Sequence, residues 1–270
     1  MSAPSCWTRA PFERYKKLRS LTSVAGRYAE EKLLLDRVLI VVPNDVVTKV
    51  ARAFVEFDSK ADTRPLHDAI GSVAVTQPGM LSTAASYWLM CALAERDTAA
   101  ANTALIALGE NPRYLGVHDN IVFNRAFTEG VIARLTNQDE KSRSAFTAAR
   151  GEQEKVVQAE PNYAEAMCVL GLIDAALGRK EEALREGRRA VELLPVEKEA
   201  NGNTMIKYLA MIAAWVGDKD LACEQLAIAI RRPSDLSYGQ LKLLPYWDPL
   251  RGDPRFEKLV EEAKRPVALK

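Results

Sequence analysis

Catalysis or metal binding needs nucleophiles, acid–base groups or ligands whose spacing brings them together, and in this chain of 270 residues such groups are sparse. The histidines are His67 and His118, 51 positions apart, and the cysteines Cys6, Cys91, Cys168 and Cys223 are separated by 85, 77 and 55 residues. Zinc sites legible in sequence use ligand pairs roughly two to five residues apart, so these gaps spell no metal site. No HExxH, no GxxxxGK[ST] or GxGxxG phosphate cradle, no GxSxG elbow and no kinase signature occurs. The expectation is a non-enzyme without metal or cofactor. Three of the cysteines fall among apolar neighbours in expected helices, where a thiol behaves as a small hydrophobe, reduced in a cytoplasmic protein.

Charge gives no stronger lead. Lys+Arg number 37 against Asp+Glu 36, a formal net charge of +1, so no global field favours nucleic acid or anionic membrane. The densest basic group, Arg185, Arg188 and Arg189, is interleaved with Glu181, Glu182, Glu186 and Glu192. That reads as a mixed-charge solvated face rather than an RNA-binding patch. The N-terminus has no apolar core of secretory type. The longest uncharged run, Ala69 to Ala94, is broken by Gln77-Pro78-Gly79 and dotted with Ser and Thr, so it reads as a helix end, a turn and a buried helix rather than a membrane span. Arg251-Gly252-Asp253 spells an adhesive tripeptide, which between two prolines reads as coincidence.

What must position these residues is set by proline. Of 13 prolines, six stand at 43, 78, 112, 161, 195 and 233, with steps of 35, 34, 49, 34 and 38. The stretches between them are dominated by Ala, Leu, Glu, Lys and Arg, all helix formers, and hydrophobic residues at 48% suffice for a core. Steps of this length suggest a repeat of helical hairpins, not the 8–12-residue turn spacing of an all-β fold.

Pro161 to Pro195 is the clearest unit. Met167, Leu170, Ile173 and Leu177 follow a helical period, Gly178-Arg179-Lys180 makes a turn, and Ala183, Leu184, Ala190, Val191 and Leu194 form a second stripe. With Leu170, Gly171, Gly178, Ala183, Ala190 and Pro195 in place, the segment resembles a tetratricopeptide repeat. It departs at Gly187, where the family prefers an aromatic, and at Asp174, where it prefers Tyr. The small residues have a physical reason: Gly171 and Ala183 face each other where the helices cross, and a Leu there would overpack by roughly 1–3 kcal/mol.

The frame slides in both directions. Ile206, Leu209, Ala210, Gly217, Ala222, Leu226 and Ala229 fall in register over 203–233. Over 123–160, Gly130, Asn137, Ser142, Phe146 and Ala149 match, with Asn137 tolerating the left-handed turn conformation and a second helix about two turns longer. Weaker hairpins are expected at 12–45, 46–80 and 82–112, after an irregular stretch at 1–11. The expected fold is all-α, a right-handed α-α superhelix of about six hairpins over 12–236. It is followed by a cap and tail at 237–270, in which Trp247 and Phe256 cover the last hairpin and a final amphipathic helix starts near Pro254. The stretch LKLLPYWDPLRGDPRFEKLV is similar to the tail that closes tetratricopeptide arrays of bacterial signalling proteins, where such arrays follow a serine/threonine kinase, winged-helix or cyclase domain. The weak first hairpin fits a chain that begins partway through a longer array.

The resemblance implies a non-catalytic protein-interaction module whose first helices line a concave groove for a protein or peptide segment. The positions that would face it include Phe54, Phe57, Met90, Phe127, Val131, Arg134, Leu172, Lys207 and Met211. Each is either groove lining or plain core. The lining is mostly apolar and suits an amphipathic helix or extended apolar segment. The alternative is the detached sensory or regulatory half of a kinase, cyclase or transcription regulator.

Overall fold

The computed structural model describes residues 25–109, 119, 121–197, 201–233 and 236–267, and among them the chain is all-α, with no strand. The helices are α1 (Tyr28–Val41), α2 (Val46–Lys60), α3 (Arg64–Thr76), α4 (Leu81–Glu95), α5 (Thr98–Ala107), α6 (Arg125–Leu135), α7 (Asp139–Ala159), α8 (Ala164–Ala176), α9 (Lys180–Leu193), α10 (Gly202–Trp215), α11 (Lys219–Ala229), α12 (Tyr238–Leu243) and α13 (Pro254–Glu262). Short 3₁₀ turns lie at Pro78–Met80 and Pro245–Leu250. Helices pack as neighbouring pairs, α2 with α3, α4 with α5, α6 with α7, α8 with α9 and α10 with α11, which are the hairpins expected from 46 to 233. Of the hairpin expected over 12–45, α1 is described; its other half and residues 1–11 lie outside the described residues, as does Pro112.

One backbone device recurs at every hairpin turn. Ala61, Arg96, Asn137, Gly178 and Gly217 all adopt the left-handed conformation, with φ of 54, 58, 54, 79 and 83°. In four of the five, the next residue's N–H reaches back five positions, from Asp97 to Ala92, Gln138 to Ala133, Arg179 to Asp174 and Asp218 to Ala213, at 2.9–3.1 Å. This satisfies the last carbonyls of the first helix and reverses the chain. Asp97 and Asp218 then accept from backbone N–H groups of Ala100 and Leu221 and start the second helix. Pro43, Pro161, Pro195 and Pro233 follow the ends of α1, α7, α9 and α11, and Pro78 follows α3. The long step before Pro161 is accounted for by α7, 21 residues against 14 in α9, a difference of about two turns.

Packing inside each hairpin follows from small residues at the crossings. A Cβ on Gly171 would stand 3.0 Å from the Ala183 carbonyl and 3.2 Å from the Gly187 nitrogen. One on Gly130 would stand 2.9 Å from the Phe146 ring. Ala183, Ala190, Ala222 and Ala229 are fully buried, and Leu170 and Leu209 nearly so. Asn124 and Asn203 play the same part in two hairpins, each donating its amide to a carbonyl near the end of the second helix or within it, at Ala149 (2.9 Å) and Ala229 (3.0 Å). Gly187 takes the place of the expected aromatic because Ile212 and Leu209, from α10, already fill that space, 2.9 Å from where its Cβ would stand.

The C-terminal segment differs from a local cap. α13 does pack on α11, starting at Pro254 as expected, with Arg255 paired to Asp220 at 2.6 Å and Arg231 to Glu262 at 2.7 Å. The stretch before it runs much further: the turn at Pro245–Leu250 packs on α10, and α12 packs on α2, near the other end of the array. Beyond α13, the N–H of Val267 donates to the carbonyl of Ala25 at 3.0 Å. The tail therefore joins both ends of the array rather than covering its last hairpin alone. The Arg251-Gly252-Asp253 tripeptide serves this tail, Arg251 bonding the carbonyls of Leu241 and Leu244 and Asp253 capping α13. Cys91, Cys168 and Cys223 are free and buried. No described helix is long and apolar enough to cross a membrane.

Ala61 carries the cost of its turn, about 1–2 kcal/mol for a non-glycine residue in the left-handed region. Ala61→Gly is expected to raise stability by about 0.5–1 kcal/mol after the entropy of the new glycine is deducted. A shift of the urea midpoint to higher concentration with unchanged slope checks this.

Candidate functional site

The positions named on the face of the first helices were left between groove lining and core, and in the structure nearly all of them are buried. Phe54, Phe57, Met90, Phe127, Val131, Leu172, Lys207 and Met211 are all buried, and Arg134 alone of the expected lining is exposed. The reason is the segment Leu236–Leu250, which lies on this face and buries Leu241, Leu244, Tyr246, Trp247 and Leu250 against it.

Its seating is specific. Ser237 donates to Asp58 at 2.5 Å and also caps α12 through the Gln240 N–H. At Gly239 the backbones meet: a Cβ there would lie 1.8 Å from the Phe57 carbonyl oxygen, so only glycine fits. Phe57 stacks on Phe54 at 4.9 Å, and Tyr87 meets Phe54 edge-on at 5.1 Å, which stiffens the surface beneath. Arg96, held in its left-handed turn at the end of α4, donates to the Leu243 carbonyl (2.9 Å) and forms a bidentate pair with Asp248. Trp215 of α10 donates its indole N–H to the Tyr246 carbonyl at 2.8 Å. Trp247 stacks on Phe256 at 6.4 Å and borders a small cavity together with Leu172 of α8 and Met211 of α10.

Further along the face the aromatics interlock. Phe127 lies 4.4 Å from Phe123, 5.6 Å from Phe146 and 6.3 Å from Trp215. Arg134 lays its guanidinium over Trp215 (4.4 Å) and Phe146, and donates to the Ala176 carbonyl. Its charge is spent on rings and backbone, with burial holding its pKa below the ordinary guanidinium value. Lys207 is also committed internally: its ammonium pairs with the buried Asp119 at 2.5 Å, and Tyr208 donates to the same carboxylate at 3.1 Å. Between these groups and the tail lies a cavity of about 20 Å³, bordered by Asp119, Lys207, Tyr208, Gln240 and Tyr246. That holds one water and no organic ligand. Burial pushes the Tyr246 phenol well above its ordinary pKa.

A second polar group sits behind this face, where α7, α8 and α9 meet. Asp174, fully buried, accepts from Arg150 (2.5 Å) and Arg179 (3.1 Å). Glu186 is buried beside it. Burial first, and then the neighbouring Asp174 carboxylate, push Glu186 up to about 8. The two departures from the repeat pattern, Asp174 and Gly187, mark this place in the sequence; Glu186 itself gave no signal among its charged neighbours. Asp119 was missed altogether, since a lone acid in a loop has no spacing to reveal it. Arg185 and Arg189 lie near acids, Glu186 at 3.8 Å and Glu192 at 3.2 Å, in keeping with a mixed-charge face.

No protein-family model matches this chain, and no curated protein matches it.

Two outcomes follow from this geometry. Gly239→Ala is expected to destabilise the fold by about 3 kcal/mol or more, because the carbonyl it meets is backbone and cannot turn aside; the urea midpoint should fall, with earlier exposure of tryptophan. For Glu186 the pKa is raised on folding from 4.5 to about 8. Its contribution is therefore complete below pH 4.5 and is lost as pH rises through 8. Chemical denaturation of wild type and Glu186→Gln across this range is expected to show the decline in the wild type and a flatter profile in the variant.

Proposed function

We propose that the chain is a non-catalytic protein-interaction module of the tetratricopeptide type, working in a signalling or regulatory system, with its partner bound on the outer surface rather than on the face of the first helices. The argument against the inner face is one of magnitude. Leu241, Leu244, Tyr246, Trp247 and Leu250 are each at least 96% buried. At about 1.5–3 kcal/mol per large apolar side chain, lifting them off costs on the order of 10 kcal/mol, as much as the whole stability of a typical domain. A partner helix cannot recover that and still bind.

The observation that carries the outer-surface reading is the end of α1 and the start of α2. Ile40 and Val41 are 79% and 72% exposed, and Leu33, Val42 and Val47 stand exposed around them. Five large apolar side chains stand exposed within 15 residues, at the junction of the first and second hairpins. Their helical spacing, Leu33 to Ile40, suits the apolar stripe of an amphipathic helix on a partner. The regulatory setting rests on the likeness of the tail to those of signalling arrays, and the reading as a detached regulatory half of a kinase, cyclase or transcription regulator is one form of it.

Affinity purification with mass spectrometry, using wild type and Ile40→Glu/Val41→Glu, tests this. Both sites are exposed, so the variant is expected to fold with a change of about 0.5 kcal/mol or less. The expected result is a protein partner recovered by the wild type and lost from the variant. Recovery of no protein by the wild type overturns the interaction reading; a partner retained by the variant overturns this patch.

A further inference from the structure

We propose that His67, Cys91 and Glu95 form a divalent transition-metal site, of the kind zinc takes, tying the second hairpin of the array to the third. The three side chains place Nδ1, Sγ and a carboxylate oxygen within 4.8 Å of one another. His67 Nδ1 is already 3.0 Å from Glu95 Oε2. Cys91 and Glu95 are one turn apart on the same face of α4, and His67 stands opposite in the first full turn of α3. The sequence hides this arrangement, because the ligands lie 24 and 28 residues apart and become neighbours only when α3 packs on α4.

The donor set is what points to the ion. Imidazole, thiolate and carboxylate together are the ligand types of zinc and of cobalt(II), not of magnesium or calcium. Bonds of about 2.0–2.3 Å require donors roughly 3.5 Å apart in a tetrahedron. The His67–Glu95 separation of 3.0 Å must widen by about 0.5 Å and the others, at most 4.8 Å, must contract by about 1.3 Å or less, which the exposed His67 and the partly exposed Glu95 can supply by rotation about their own side-chain bonds. Cys91 is buried and fixes the inner corner. The solvent side stays open for a water as fourth ligand, so the ion would be exchangeable.

Charge balances as well. A neutral imidazole, one thiolate and one carboxylate neutralise a divalent ion. Binding releases the thiol proton, and the imidazolium proton where one is held, and the ion takes over the positive charge that this acidic corner favours. Thr63, whose carbonyl lies 3.9 Å from the Cys91 sulfur, supports the thiol from behind.

Cobalt(II) titration of the chelator-treated full chain tests this. The expected result is a near-ultraviolet thiolate-to-cobalt charge-transfer absorption that saturates at one ion per chain and is displaced by zinc, with a rise in Tm on zinc loading. His67→Ala is exposed enough to fold normally and is expected to weaken binding by more than about 100-fold, since even the groups behind metal ligands are worth about 10–100-fold. Cys91→Ser is expected to abolish the charge-transfer absorption. No such absorption in the wild type, or an affinity unchanged in His67→Ala, overturns the site and leaves a surface His–Glu pair beside an inert thiol.

Discussion

The covering of the first-helix face by the C-terminal segment is the constraint from which the rest of this structure takes its form. A row of hairpins built on small residues at every crossing necessarily leaves its large side chains on the faces, and here that face is lined by Phe54, Phe57, Met90, Phe127, Leu172 and Met211. Left in water, those groups would remove much of the gain from folding. The tail meets this need with Leu, Tyr and Trp side chains, and it is tied at three places along the array, its Ser237 hydroxyl by Asp58 and its backbone carbonyls by Arg96 and Trp215. The approach at Gly239 shows how tightly the fit is drawn: two backbones in contact with no room for a methyl group.

The same constraint explains a backbone choice that looks wasteful. Gly178 and Gly217 make the left-handed turns without steric cost, and Asn137 at little, but Arg96 sits there with a full side chain. A glycine would relieve the turn and forfeit the clamp on Leu243 and Asp248. Strain at this turn persists because the surrounding contacts over-determine it. Ala61 has no such reason, as its side chain is a single methyl group.

The hairpins were legible in the sequence wherever a local rule sets them. Proline after the second helix, glycine or asparagine at the turn, and the Gly171–Ala183 crossing all act within one repeat and survive as pattern. In the weaker hairpins the pattern faded because the chemistry changed while the geometry did not: Ala61 and Arg96 occupy the turn position with glycine's φ. What the sequence could not show was contact between distant parts. The residues named as groove lining or core are mostly buried, and what lies over them is a segment some 180 residues away, whose Ser237 meets Asp58. Asp119 with Lys207, and His67 with Cys91 and Glu95, belong to the same class, pairs and triads with no shared spacing. The departures at Asp174 and Gly187 were the exception. They stood out as breaks in a repeat: at Asp174 buried charge replaces an aromatic, and at Gly187 the side chains of Ile212 and Leu209 do.

A closed array differs mechanically from an open one. In a simple solenoid each repeat touches its neighbours alone, so stability adds along the row and the ends fray independently. Here the tail links α2, α4 and α10 through contacts spanning 179, 152 and 31 positions. Loosening the hairpin of α2 and α3 disturbs the seating of a segment that also holds the last, so the two ends cannot open separately. The price is flexibility: an open row of hairpins can adapt its curvature, and this one gives that up. What it gains is an outer surface held at fixed spacing, so that less ordering would remain to be done on binding there. An apolar corner such as Ile40–Val47, on the second hairpin's junction with α1, is then a rigid feature of the molecule rather than one state among many, which is the condition under which a modest patch can be selective.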